Sequence, residues 1–263
     1  MTSMLSRMVL DRRRDTKETR ESFAATRKAE MQFARNLRSI ARHIGDLTRV
    51  IYTGTLESAR TLEEALRRYA AGLHPWAQAS AARMLADVSR RDEAVWNRMA
   101  SNMSRQLKTE LKTAPIGAAM QALMQSQVGL ITSLPREAAE RVHKLAHENL
   151  FVAGRGENIV KEIMRTGEVT KSRATLIART ETARTASVLT RVRAQHVGSE
   201  GYIWRTSEDS DVRPTHRKLN GKFIRWDDPP VSEADGITRA HAGTVYNCRC
   251  WPEPVIPEEP EDE

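Results

Sequence analysis

Apolar residues recur every three or four positions along most of the chain, which predicts a largely helical protein up to about residue 197. The charged segment 1–45 is interpreted as an N-terminal arm followed by a helix. From Leu56 to about Thr113 the pattern stays helical, with breaks near Gly72 to Pro75 and at Pro115 to Gly117. Pro75 fits the first turn of a new helix, where its missing N–H costs nothing.

Three further helices are predicted before residue 198. A short connection at Thr132 to Pro135 should lead into a helix that ends near Gly154, and Gly167 should stop the next helix. The segment from Ser172 to about His196 is expected to be strongly amphipathic. The apolar residues predicted on its single buried face are Ala174, Ile177, Ala178, Val188, Leu189 and Val192.

The pattern changes after Gly198, where short β-branched and aromatic runs alternate with polar residues. Tyr202 to Trp204 and Phe223 to Trp226 are predicted strands. The segment Cys250 to Ile256 is also extended, but its two prolines confine it to a sheet edge or a loop. The fold class expected is therefore α+β, a mainly α-helical N-terminal region followed by a small C-terminal domain with short antiparallel strands.

Composition and pattern together suggest four parts of the chain. Residues 1–120 form a basic helical region, and residues 121–197 form the helical part of the second domain. Residues 198–256 form its small α+β part, and residues 257–263 are an acidic tail expected to be disordered.

The charge is strongly asymmetric. The net charge is +8, but all 42 Lys and Arg residues precede residue 251 while six of the 34 acids follow it, so residues 1–250 carry +14. Such a field suits a polyanion, in particular a nucleic acid bound through its phosphates without sequence preference. The alternative is that Arg-rich helices are simply soluble. No apolar run resembles a signal peptide or membrane span, so we expect a protein that is kept in the cytoplasm, or in something assembled there, without a membrane partner.

Glu181 falls within the predicted apolar face, where an unpaired carboxylate would be costly. A cationic partner is therefore expected, either Arg184 or an arginine of the C-terminal part such as Arg213. A buried ion pair is favoured over catalysis, because no second carboxylate or nucleophile is fixed beside Glu181 by spacing.

The C-terminal segment contains both cysteines and a group of histidines. Thiolates and imidazoles are zinc ligands, so His216, His241, Cys248 and Cys250 are the candidate metal ligands. The Cys-x-Cys spacing is atypical, since a regular strand would place the two thiols on opposite faces unless the chain bends at Asn247. The alternative is a pair of small buried side chains flanking Arg249, and a disulfide between neighbours this close is disfavoured.

A second interpretation treats His216, Asn220 and His241 as a metal-dependent nuclease centre. Such a centre normally lies on a hairpin followed by a helix. The sequence after Gly243 shows no helical periodicity, so this interpretation is disfavoured.

Several separated motifs, in order, resemble those of the phage Mu F-like minor head proteins, the head morphogenesis family of tailed phages. The resemblance covers about residues 125–256. The motifs are LIARTE at 176–181, WRTSED at 204–209, VRPTH at 212–216, LNGK at 219–222, WDDPP at 226–230, HAG at 241–243 and NCRC at 247–250.

The resemblance implies a low-copy structural protein of the phage head, associated with the portal and acting in head assembly and in DNA packaging or ejection. It implies no enzymatic activity, a location in the virion after assembly in the host cytoplasm, and portal and other head proteins as partners. The family pattern falls on Arg179, Glu181, Trp204, Asp209, Arg213, His216, Gly221, His241, Gly243, Cys248, Arg249 and Cys250. The chain departs from the pattern at Asp211, Asn220 and Ala242. A nuclease or toxin-like enzyme and a plain DNA-binding module are the alternatives.

Overall fold

The computed structural model describes residues 16–99, 109, 112–151 and 156–256, and the predicted N-terminal arm and acidic tail lie outside the elements described below. Within the described residues, seven helices and a three-stranded sheet are found, which confirms the predicted α+β class. The helices are α1 (Thr16–Ile51), α2 (Leu56–Gly72), α3 (His74–Met99), α4 (Ile116–Phe151), α5 (Gly156–Met164), α6 (Thr166–His196) and α7 (Pro214–Leu219). The strands are β1 (Gly201–Arg205), β2 (Phe223–Arg225) and β3 (Trp251–Val255).

Local sequence signals explain where α2 and α3 begin. Thr55 caps α2, since its hydroxyl accepts a hydrogen bond from the Ser58 amide at 3.1 Å while the Ser58 hydroxyl accepts one from the Thr55 amide at 3.2 Å. These reciprocal bonds satisfy amides that have no partner inside the helix. Pro75 lies in the first turn of α3, as predicted.

The prediction that a connection at Thr132 to Pro135 interrupts the helices is wrong, because α4 continues through Pro135. A proline inside a helix removes one backbone hydrogen bond. Here Pro135 and its neighbour Leu134 are buried, so packing holds the helix together across the missing bond. The Thr132 hydroxyl also donates to the Val128 carbonyl at 2.9 Å within the same turn.

Gly167 does not end a helix either, because α6 already begins at Thr166. The Thr166 hydroxyl donates to the Ile163 carbonyl at 2.6 Å and so satisfies a carbonyl at the end of α5. Gly167 has a packing role instead. A Cβ atom at this position would lie 2.8 Å from the Gly45 Cα atom, so the backbones of α1 and α6 can approach only because the residue is glycine.

The buried face of α6 is more polar than predicted. Val188 and Val192 are only partly buried, whereas Ala174 and Leu189 are fully buried as expected. Polar residues complete the buried face, namely Glu181, Thr182, Thr185, Ser187 and Arg193.

The sheet is antiparallel with β1 in the centre. Tyr202 of β1 pairs with Ile224 of β2 on one side and with Pro254 of β3 on the other. β3 is therefore an edge strand, as its two prolines predicted, since its unpaired side requires no amide donors.

The chain divides into two compact units. Glu30–Ala86 and Gly117–Thr182 form a helical unit. Its fully buried large side chains are Phe33, Leu37, Ile40, Ile44, Leu62, Leu66, Leu85, Ile131, Leu134 and Ile163.

The other unit comprises Met1–Ala29, Asp87–Ile116 and Ala183–Glu263, as far as their residues are described. It contains the sheet and an aromatic core. Its core residues are Trp96, Ala194, Val197, Tyr202, Trp204, Ile224, Trp226, Ala242, Cys248 and Cys250. Among the residues described, no helix has the length and apolar character needed to cross a membrane.

Candidate metal centre in the C-terminal segment

His216, Cys248 and Cys250 meet inside the unit that contains the sheet. The Nδ1 atom of His216 lies 3.5 Å from the Cys248 Sγ atom and 3.4 Å from the Cys250 Sγ atom. The donor atoms of the three residues all lie within 4.8 Å of one another. Each side chain is only 2% exposed, so the group is closed to bulk solvent.

Short local elements place these donors. His216 lies on α7, whose first residue is Pro214, and the fixed φ angle of proline suits this first position of a helix. Asn247 has a φ angle of 55°, in the left-handed region that Asn tolerates better than most residues. This bend, which the sequence suggested, allows Cys248 and Cys250 to face the same imidazole nitrogen.

The spacing of the donors fits a tetrahedral metal ion. Zinc bonds of about 2.3 Å to sulfur and about 2.0 to 2.1 Å to nitrogen place the two donor atoms about 3.5 Å apart at a tetrahedral angle. The observed His216 to cysteine distances of 3.4 and 3.5 Å match this separation. The donor set of two sulfurs and one imidazole nitrogen is also one that zinc prefers.

Two N–H groups near the sulfurs favour the thiolate form that binds metal. The Cys250 amide donates to the Cys248 Sγ atom at 3.3 Å. The indole ring of Trp204 packs edge-on against His216 at 5.3 Å between centroids. Its buried Nε1–H group acts to lower the pKa of Cys250, but the larger effects of Cys248 and of burial outweigh it.

The two thiols differ in acidity. Hydrogen bonds from the Cys250 thiol and from His216 lower the pKa of Cys248, against the opposing effect of burial. The pKa of Cys250 is raised by its hydrogen bond with Cys248 and by burial. Burial alone would lower the pKa of His216, but the hydrogen bond and charge of Cys248 raise it above its ordinary value. The sulfur of Cys248, which faces His216, is therefore the more acidic of the two.

Two further polar side chains lie beyond His216, on the side of its Nε2 atom. Its Nε2 atom lies 3.3 Å from the Glu233 Oε1 atom, and the Glu233 Oε2 atom lies 3.6 Å from the Arg213 Nε atom. Arg213 also donates to the Tyr246 carbonyl at 2.8 Å. The sequence pattern did not identify Glu233, because it lies in a turn-rich loop 17 residues after His216 and belongs to no recognised motif.

His241, the fourth predicted ligand, is not part of the three-residue group. Its Nδ1 atom lies 3.2 Å from the Tyr202 hydroxyl, which also accepts a hydrogen bond from the Ala242 amide at 3.2 Å. Burial and the nearby Arg191 lower the pKa of His241. Desolvation raises the pKa of Tyr202, so this pair is neutral and stabilises the core beside β1.

The residues of the nuclease interpretation have separate partners. His216 faces the thiols and His241 faces Tyr202, while the Asn220 Oδ1 atom accepts a hydrogen bond from the Thr206 amide at 3.1 Å. Asn220 thus stabilises the turn before Gly221, whose φ angle of 78° explains why a glycine occurs there.

Arg249, between the two cysteines, has acidic partners in the loop that precedes α7. It donates to Asp209 at 2.8 Å and to Asp211 at 3.2 Å, so it holds that loop against the Cys-x-Cys segment. Asp211, a departure from the family pattern, thus takes part in this ion pair.

The remaining predicted motif residues lie on α6. Glu181 is 3% exposed, which confirms its predicted burial. Arg213, the C-terminal arginine named as a possible partner for it, pairs with Glu233 instead. Arg179 pairs with Glu30 at 3.3 Å within the helical unit.

A comparison with family models supports the resemblance described above. Residues 140–252, slightly less than half of the chain, match the family described as Phage Mu protein F like protein. The matched segment contains the three residues of the candidate metal centre, Glu233, and every motif residue named above. No curated protein and no solved structure matches the chain significantly.

Proposed function

We propose that this protein is a structural protein of phage head morphogenesis whose C-terminal domain is held closed by a zinc ion. The observation that carries the proposal is the family match over residues 140–252, together with the buried His216, Cys248 and Cys250 group that this segment contains. The ion would cross-link α7 to the segment that enters β3. The sheet has only three short strands, and metal binding would add directly to the folding energy of the unit that contains it.

Burial favours a structural over a catalytic metal. A catalytic zinc has three protein ligands and one position open to water or substrate, whereas a structural zinc usually has four protein ligands and is closed. The described residues supply three donors, so the number of ligands does not favour a structural ion and the argument rests on burial. His216, Cys248 and Cys250 are each 2% exposed, and Trp204 covers one side of the imidazole ring. A substrate would have to open this core to reach the metal.

The partners proposed are the phage portal protein and other head proteins, with the protein in the virion after assembly in the host cytoplasm. The support is the resemblance of the C-terminal half to minor head proteins. Double-stranded DNA is a further proposed partner. The support is the net charge of +8 and the fact that all Lys and Arg residues precede residue 251. Mass spectrometry of purified virions, and copurification with the portal protein of the same phage, would test the structural role.

The metal is tested by elemental analysis of protein purified without chelators. One zinc per chain is expected, and His216→Ala or Cys248→Ser should reduce it to background. His241→Ala is the matched control, since His241 is also buried but lies outside the group. Zinc well below one per chain in the unchanged protein would overturn the metal proposal and leave the family match as support for the structural role.

The enzymatic alternative is tested with the same proteins. A nuclease would cut plasmid DNA when magnesium, manganese or zinc is added, and His216→Ala would abolish the cleavage. The structural proposal instead expects no cleavage by either protein, and a lower thermal stability for His216→Ala.

A further inference from the structure

We propose that Glu233 is the positioning residue of the metal centre, which orients His216 so that its Nδ1 atom, and not its Nε2 atom, binds the ion. The inference rests on the zinc site proposed above and identifies what the chain uses to prepare it. The evidence is geometric. The Glu233 Oε1 atom lies 3.3 Å from Nε2, whereas the two sulfurs lie next to the other ring nitrogen, Nδ1.

A neutral imidazole has one N–H group and one lone pair, so the partner of one nitrogen decides the role of the other. When the Nε2–H group donates to the carboxylate of Glu233, the lone pair is fixed on Nδ1, which faces Cys248 and Cys250. A carboxylate that accepts this bond also increases the basicity of the ligand nitrogen and holds the ring in place. Metal-bound histidines usually have such a partner, and its loss typically weakens metal binding about 10- to 100-fold.

Glu233 is itself held in place by a charged neighbour. Its Oε2 atom lies 3.6 Å from the Arg213 Nε atom, so the two carboxylate oxygens have different partners. Arg213 in turn donates to the Tyr246 carbonyl at 2.8 Å, two residues before Cys248. The chain of contacts therefore runs from the imidazole through Glu233 and Arg213 to the turn that carries the thiols.

The same loop offers a control for an indirect effect on folding. Asp235 lies two residues after Glu233 and accepts hydrogen bonds from the Ile237 and Thr238 amides, each at 2.9 Å. Asp235 thus stabilises the loop without touching His216. If Glu233 acted only by shaping this loop, Asp235→Ala and Glu233→Ala would weaken metal binding equally.

The test measures zinc affinity of the full chain by competition with a chromophoric chelator. Glu233→Ala is expected to weaken binding about 10- to 100-fold. Glu233→Gln keeps a carbonyl acceptor of the same shape, so it should recover part of this loss. Asp235→Ala should change the affinity by less than about threefold, since it leaves His216 and its partner intact. Circular dichroism confirms that each variant is folded.

A spectroscopic measurement separates orientation from stability. Two-bond proton–nitrogen correlation spectra of the zinc-loaded protein should show a protonated Nε2 and a metal-bound Nδ1 at His216. In Glu233→Ala this signature should broaden or change to a mixture of the two forms. If Glu233→Ala and Glu233→Gln both bind zinc as tightly as the unchanged chain, Glu233 is not the positioning residue although the zinc site stands. If the unchanged chain binds no zinc, both proposals fail.

Discussion

At the scale of single residues, the candidate metal centre depends on backbone angles that most side chains disfavour. Asn247 and Gly243 have φ angles of 55° and 80°, and they flank the turn that leads to Cys248. Gly243 has a second constraint, because a Cβ atom there would lie 2.9 Å from the Cys250 carbonyl oxygen. The close packing of this turn on the Cys-x-Cys segment is thus possible only with glycine at residue 243.

Gly243→Ala should therefore destabilise the domain more than Gly221→Ala does. Gly221 also has a positive φ angle, of 78°, but a Cβ atom there would meet nothing within 4 Å. Backbone strain alone should lower the free energy of unfolding of Gly221→Ala by about 1 kcal/mol. In Gly243→Ala, strain and the steric contact together should lower it by about 2 to 4 kcal/mol. Urea unfolding of both variants measures the difference. Equal losses would show that the contact with Cys250 relaxes freely.

At the scale of helices and strands, apolar periodicity predicted most of the structure but failed where tertiary packing overrides a local signal. Pro135 and Gly167 both read as helix breaks, yet Pro135 is held by the buried face of α4 and Gly167 lies where α1 and α6 approach closely. No local pattern could reveal either, because the deciding neighbour is distant in sequence. The two prolines of β3 were informative, because an edge position requires no long-range partner on one side.

The candidate metal centre also contains residues that the local sequence identifies and one residue that only the fold brings to it. His216, Cys248 and Cys250 were identifiable because their chemistry is rare in this chain, and the bend at Asn247 followed from a residue type that tolerates it. Glu233 was not identifiable, since one carboxylate among 34 acids carries no signal until the fold brings it to His216.

The contact between α1 and α6 gives an asymmetric prediction for two facing glycines. Gly167→Ala should destabilise the helical unit by about 1 to 3 kcal/mol, because the new Cβ atom would lie 2.8 Å from backbone that cannot move aside easily. Gly45→Ala should be nearly neutral, since its Cβ atom would lie 3.7 Å from Gly167 and alanine favours the helix. Chemical denaturation of the two variants tests this order, and a larger loss for Gly45→Ala would contradict it.

The buried pair between α3 and α6 gives a pH prediction. Burial raises the pKa of Asp92 to about 6, although the charge of Arg193 and a hydrogen bond from Thr190 oppose the rise. Because the folded state holds this proton more tightly than the unfolded chain, the contribution of Asp92 to stability is largest below about pH 4. It is lost as the pH rises through about 6, by on the order of 3 kcal/mol.

Unfolding free energies measured between pH 4 and 7 for the unchanged chain and Asp92→Asn should show this effect. Asparagine cannot ionise, so the difference between the two proteins should vary with pH. Asp87→Asn, five residues earlier and more exposed, leaves Asp92 in place and should show the same pH dependence of stability as the unchanged chain. A constant difference for Asp92→Asn would mean that Arg193 keeps the carboxylate ionised throughout.

At the scale of the whole molecule, the make-up of the two compact units and the net charge both depend on segments that are far apart in the sequence. Each compact unit combines non-consecutive parts of the chain, so its composition could not be read from boundaries placed near residues 120 and 197. Those boundaries remain predictions. The charge is likewise a property of the whole chain, since +14 before residue 251 is reduced to +8 by the acidic end.

The proposed contact with DNA leads to a prediction about this acidic end. A chain that stops after Ile256 keeps β3 complete but loses five acids and no bases, so its net charge rises from +8 to +13. It should bind double-stranded DNA more tightly than the full chain at about 50 mM salt. The advantage should shrink as salt rises toward about 200 mM, since phosphate contacts weaken steeply over this range.

Fluorescence anisotropy with two unrelated duplexes of equal length measures the affinity of each chain for DNA. Equal affinity for both duplexes is expected, because phosphate contacts carry no sequence information. No binding by either chain at low salt would remove DNA from the proposed partners and would leave the positive charge to act on acidic surfaces of other head proteins.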